Sequence, residues 1–239
     1  LADPWMTLAH AAGATSTIRL GTAVGLVTLR HPLLLAKILA TLDRQSRGRL
    51  VVGAGAGWLI EEMELFGVEF AARFERMEEM VAAMRRIWTE DVVEFHGKHV
   101  DFPSLYCRYP SFQRPIPVLC GVHGVRGMKM AARWADGWIP IGTDPEVLAR
   151  DVKRYQALCE ENGRDPAAMS VTTMAAVDES TDPAFVESLF QAGANRVILA
   201  IGTVTTDRTV REGPGDAHPL SPERYARTLE HVAARFVTA

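Results

Sequence analysis

The chain has 239 residues, with 26 Lys+Arg against 29 Asp+Glu for a formal charge of −3, and is 48% hydrophobic and 23% charged. That composition belongs to a soluble globular protein with enough apolar material for a large core, and it excludes disorder as the main state. Basic and acidic residues are interleaved throughout, against a nucleic-acid footprint, and the best apolar run, Leu33–Leu42, is broken by Lys37 far short of the ~18 residues of a membrane span.

Short apolar, β-branched runs alternate with longer helical patterns. The first predicted strand is Thr17–Val24. Pro32 then opens a helix whose apolar face is Leu34, Leu35, Ile38, Leu39 and Leu42, stopped at Gly48. Leu50–Gly55 is the second strand, followed by a helix with Phe74, Met77, Val81, Met84 and Trp88 at three- and four-residue steps, read as a core stripe. Residues 92–116 break the rhythm: a turn at Phe95-His96-Gly97-Lys98-His99 between two short apolar pieces predicts a hairpin insertion. Pro117–Gly121, Gly137–Ile141, Ser170–Val177 and Arg196–Ile201 are four more strands. Helices are expected at about Gly127–Ala135, from Val147 to Leu158 with a stop at Asn162-Gly163, at Pro183–Ala192 and at Ser221–Phe236, and a polar Gly/Pro-rich loop spans Gly202–Pro219. Nearly continuous apolar strands that alternate with helices mean βαβ units and a parallel sheet buried on both faces. The length sits near the ~250 residues of a (β/α)8 barrel.

Cys107, Cys120 and Cys159 are an odd set without CxxC or Cys/His ligand spacing, and no charged-then-apolar leader is visible. We therefore expect a cytoplasmic protein with no metal centre. Chemistry concentrates in two glycine-rich turns. Gly53-Ala54-Gly55-Ala56-Gly57-Trp58 ends a strand, and glycines at alternate positions would let backbone approach a flat or anionic ligand. Trp58 stands where a GxGxxG fingerprint needs its third glycine, so the Rossmann reading is the poorer one. Gly121-Val122-His123-Gly124-Val125-Arg126-Gly127 opens a helix, where free amides bind phosphate and Arg126 adds a charge. Singly each turn reads as an ordinary βα loop; together on one barrel face they point to a ligand with a ring and a phosphate.

Asp3-Pro4-Trp5, Ala14-Thr15-Ser16-Thr17-Ile18-Arg19-Leu20-Gly21-Thr22, Leu29-Arg30-His31-Pro32, Ser46-Arg47-Gly48-Arg49 and the Gly53–Trp58 segment follow one another as in luciferase-like oxidoreductases. Arg76, Met84-Arg85-Arg86-Ile87-Trp88, Phe95-His96-Gly97, Ala135-Asp136-Gly137-Trp138 and Gly163-Arg164-Asp165-Pro166 continue the likeness. Within that family the chain most resembles the oxidoreductases that use the deazaflavin coenzyme F420.

The resemblance implies a single (β/α)8 barrel domain over 1–239, of the bacterial luciferase-like type, whose first two β/α units are expected to lie before Leu1. It implies hydride transfer between F420 and a small organic substrate. Alternatives are an FMN-dependent monooxygenase using dioxygen and, from another class, a cofactor-binding protein without turnover. The family has a non-proline cis peptide that falls on Ala23-Val24. Carried over in the same way, Gly55, Ala56, Gly57 and Trp58 line the ring or its side chain, while Gly121, Val122, His123, Gly124 and Gly127 hold the phosphate. Where luciferase offers phosphate-binding side chains this chain has Ala56, His123, Gly124 and Gly127, which speaks against FMN. No general acid or base is named. His31 is the remaining candidate, against its reading as a helix-entry turn, and His96, His99 and His218 are expected at the surface. Family members commonly dimerise through barrel helices, so a homodimer is the assembly implied, with no nucleic-acid or membrane partner.

Overall fold

In the computed structural model, residues 2–108, 110–142, 144–177, 180–201 and 222–236 are described. The loop Gly202–Pro219, with His218, lies outside them. The chain divides into two compact units, Leu1–Ile139 and Pro140–Ala239.

The first unit begins with a helix, α1 (Pro4–Ala14), that the sequence pattern did not separate out. Asp3 caps it, accepting from the Trp5 and Met6 amides at 2.9 and 3.0 Å, with Pro4 at the first helical position. Arg30 pairs with Asp3 at this end. At the other end the Arg49 guanidinium donates to the carbonyls of Ala12, Thr15 and Ile18 and to the Thr15 hydroxyl, at 2.9–3.0 Å.

The expected strand Thr17–Val24 is instead two short pieces, β1 (Leu20–Gly21) and β2 (Gly25–Leu26). Both pair in parallel with β3 (Leu50–Gly55), Gly21 against Val51 and Gly25 against Ala54. Four steps on one side run beside three on the other, so one residue is extra and the chain bulges at Thr22–Val24. β6 (Val118–Gly121) lies on the far side of β3, and β7 (Gly137–Ile139) follows it, two residues shorter than expected. All these pairings are parallel, and β3 is buried at every position.

The helices of this unit are α2 (Pro32–Gln45), the short α3 (Ile60–Leu65), which was not foreseen, α4 (Arg73–Thr89) and α5 (Gly124–Trp134). The predicted start of α5 at Gly127 is corrected by one turn: glycines at 124 and 127 weaken the helical pattern of a segment that is nevertheless helical. Met77, Met80, Met84 and Trp88 of α4 are fully buried, so that stripe is core, and the Trp88 indole donates to the Ala36 carbonyl of α2 at 3.1 Å.

The predicted hairpin is present as β4 (Val92–His96) and β5 (Asp101–Tyr106), antiparallel. Its turn is fixed to α4 by Glu79, whose carboxylate accepts from the amides of Lys98, His99 and Val100 at 3.0, 2.7 and 2.9 Å.

In the second unit α6 (Pro145–Glu161), capped by Asp144, is followed by β8 (Ser170–Val177), α7 (Pro183–Gln191), β9 (Arg196–Ile201) and α8 (Pro222–Phe236). β8 and β9 pair in parallel from Thr172↔Arg196 to Val177↔Ile201, and both strands match their sequence ranges. Among the described residues no helix is long and apolar enough to cross a membrane.

Candidate functional site

In the first unit the C-terminal ends of β2, β3 and β6 lie side by side, and most of the predicted site residues stand there. The Ala23-Val24 peptide is cis, as the resemblance implies. Val24 projects from the bulge between two glycines. A Cβ on Gly55 would overlap Val24 Cγ2, and one on Gly121 would overlap Val24 Cγ1. The valine nonetheless remains 38% exposed, as a small apolar platform.

The glycines of β3 have a packing use that the sequence did not reveal. Gly53 faces the carbonyl oxygen of Thr22, which a Cβ would strike, and Gly55 faces Val24. Alternate glycines here let the bulged strand close on β3. The Thr22 hydroxyl bridges the gap, donating to the Gly53 carbonyl at 2.9 Å and accepting from the Gly53 amide at 3.2 Å. Thr22 was not singled out from sequence, although a hydroxyl residue in an apolar stretch was the available signal. Thr28 is a second such residue: fully buried, it donates to the Ala56 carbonyl at 3.0 Å, and Arg76 Nε braces the same turn through the Thr28 carbonyl at 3.1 Å.

Beyond β3, Ala56 is buried, Gly57 turns the chain at φ +91° over Met63, and Trp58 is 77% exposed. Beyond β6, Val122 is buried and its carbonyl accepts from the Trp138 indole at 2.8 Å. Gly127 packs tightly on Val122, where a Cβ would lie 2.8 Å from the valine Cβ. His123 precedes α5 but its side chain makes no capping bond, so among the described residues the cap position gives the first-turn amides of α5 no side-chain acceptor. His123 and Gly124 are exposed. These positions therefore provide backbone donors at a positive helix end, the arrangement an anionic group can use.

His31, the remaining acid/base candidate, has a structural role in the chain that leaves β2. It caps α2, with Nδ1 accepting from the Leu33 amide at 3.3 Å, which is the helix-entry role. His96 is exposed beside Asp101, as expected. The His99 side chain is instead only 13% exposed, 3.2 Å from Glu75.

A family model described as luciferase-like monooxygenase matches residues 2–236. The chain belongs to the luciferase-like monooxygenase family. Its fold class is accordingly α/β, of the luciferase-like barrel type. Among relatives of this luciferase-like chain, an uncharacterized Mycobacterium tuberculosis protein is 40% identical over 164 residues, 68% of this chain and 58% of the relative. The phthiodiolone/phenolphthiodiolone dimycocerosates ketoreductase of Mycobacterium bovis is 30% identical over 241 residues, 92% of this chain and 58% of that protein. The crystal structure of an F420-dependent secondary alcohol dehydrogenase holding an F420-acetone adduct superposes with TM-score 0.75 at 20% identity, covering 84% of this chain and 78% of that one. The luciferase-like chain thus spans 58% of the length of these two curated relatives.

Proposed function

We propose that this chain is the cofactor-bearing part of an F420-dependent oxidoreductase that transfers hydride to or from a small organic carbonyl or alcohol. The observation that carries the reading is Val24: an exposed apolar side chain locked between Gly55 and Gly121 at the ends of adjacent parallel strands, a surface on which a flat ring can rest. A bound deazaflavin would supply two-electron hydride chemistry. The residues present suit such a ring. Val24 sets its height, Trp58 stands exposed at the end of β3 as an aromatic wall, and the uncapped amides of α5 suit a phosphate held by backbone donors. Ala56, His123, Gly124 and Gly127 offer it little side-chain bonding, which favours the deazaflavin over FMN. The ketoreductase relative and the alcohol dehydrogenase neighbour support carbonyl or alcohol chemistry.

The test is fluorescence titration of the purified protein with F420 and with FMN. Saturable quenching by F420 with much weaker FMN binding is expected. Tight FMN binding with none for F420 would overturn the proposal.

A further inference from the structure

The β2–β3 ladder ends at the pair Leu26–Gly55, and there the chain leaves each strand, through the helical turn Val27–Leu29 on one side and through Ala56 and Gly57 on the other. One hydrogen bond joins the two exits, from the Thr28 hydroxyl to the Ala56 carbonyl at 3.0 Å. Thr28 is fully buried and Ala56 nearly so, which shields the bond from water. Val24 stands on the β2 side of this junction, and its Cγ2 fills the space that a Cβ on Gly55 would need. The spacing of the two exits therefore sets how the valine sits against β3.

Arg76, half-buried near the start of α4, fixes the Thr28 side. Its guanidinium spans two elements: Nε donates to the Thr28 carbonyl at 3.1 Å, and Nη1 to the His99 carbonyl in the hairpin turn at 3.4 Å. The second of these carbonyls is itself anchored, because Glu79 holds the amides of Lys98, His99 and Val100 to α4. The acids on either side of Arg76 along the helix are engaged with the hairpin, Glu75 with Lys98 and His99 and Glu79 with those amides. Among the described residues Arg76 enters no ion pair. Its charge serves two carbonyl oxygens. A rigid planar fork can hold both in a fixed relation, whereas an ammonium is a single point of charge.

We infer that Arg76 is a positioning residue for the cofactor: through Thr28 it fixes the Ala56 carbonyl and the spacing of the β2 and β3 exits, and so holds the Val24 surface at the height the ring needs. The inference rests on the deazaflavin reading. It adds to that reading a residue that acts through the turn and not by contact with the ring, so the cofactor face is held from a hairpin outside the parallel sheet.

Wild type, Arg76→Gln, Thr28→Val and the double variant are titrated with F420 at a temperature well below every Tm, with circular dichroism to check the fold. Each single variant should bind F420 about three- to tenfold more weakly, the effect of one lost hydrogen bond. The double variant should be little worse than either, because the two residues act in series. A residue that merely supports the fold would lower Tm and leave the Kd of the folded protein unchanged. Unaltered F420 affinity in Arg76→Gln, or additive losses in the double variant, would overturn the assignment. Should Arg76→Gln fail to fold, Thr28→Val, which loses only the hydroxyl, carries the test, and wild-type affinity in that variant overturns the relay. If wild type binds no F420, the deazaflavin reading is what fails, and hydrogen exchange without ligand decides the relay. Faster exchange over 54–58 in both single variants supports it, and unchanged exchange there overturns it.

Discussion

If Val24 is what makes glycine necessary at position 121, then Gly121→Ala should be costly in the wild-type chain and nearly free once Val24 is alanine. In the structure a Cβ at 121 would overlap Val24 Cγ1, whereas the next atoms, Val24 Cβ and the Ala54 carbonyl oxygen, are both 3.4 Å away, ordinary contact. Only the γ-methyls obstruct. Val24 is short and β-branched, so it relieves the overlap by changing rotamer or by pushing β2 off β3, an overpacking cost of about 1–3 kcal/mol. Val24→Ala alone removes two methyl groups that are roughly two-thirds buried, about 1 kcal/mol at ~0.8 kcal/mol per buried CH2. Urea denaturation of the four proteins of this cycle should give a coupling of about 1–2 kcal/mol, the double variant being little worse than Val24→Ala. Additive costs would refute the contact reading and return Gly121 to the role of a ligand-facing glycine.

His31→Ala should lower stability by about 0.5–1 kcal/mol, with His31→Asn restoring most of it because Asn also caps; activity lost in the Asn variant at unchanged stability would instead mark His31 as catalytic. Burial opposes ionisation of Glu79, but the amides of His99, Val100 and Lys98 prevail and hold its carboxyl below the usual 4.5. Its folded pKa being depressed, its contribution is complete above the unfolded value and is lost as pH falls through the folded one, so Glu79→Gln should flatten that part of the acid limb of stability against pH. An unchanged acid limb would remove Glu79 from the hairpin anchor. Burial pushes all three thiols up, Cys120 the furthest. Half-buried Cys107 should therefore be alkylated first in the native protein, by peptide mass mapping, and faster labelling of Cys120 would contradict its buried place in β6.

β3, β8 and β9 were readable to the residue because each is one unbroken apolar run bounded by loop residues. Helix starts at Pro32 and Pro183 were equally plain, since proline fits the first turn and nowhere later. Thr17–Val24 was misread as one strand because nothing in its composition marks an extra residue; the bulge exists through pairing with β3, a partner some thirty positions away. The same distance hid the purpose of Gly53 and Gly55. Their spacing was visible, but the Thr22 carbonyl and Val24 that demand it belong to another strand. The cis peptide at Ala23-Val24 was placed by resemblance and the Gly121–Gly127 turn first by its glycines at a helix start, while their local geometry, including the start of α5 without a side-chain cap from His123, came only from the fold.

The clasp on α1 bears on how this part of the molecule opens. A helix held only by its apolar face can open while the rest stays folded. Here the guanidinium that secures the exit of α1 belongs to the residue just before β3, and the arginine that meets its cap lies just before α2. Releasing the helix means disturbing both roots, so α1 is coupled to the central strand in one cooperative unit, and its amides should exchange with solvent on the timescale of β3 rather than of a helix that opens alone.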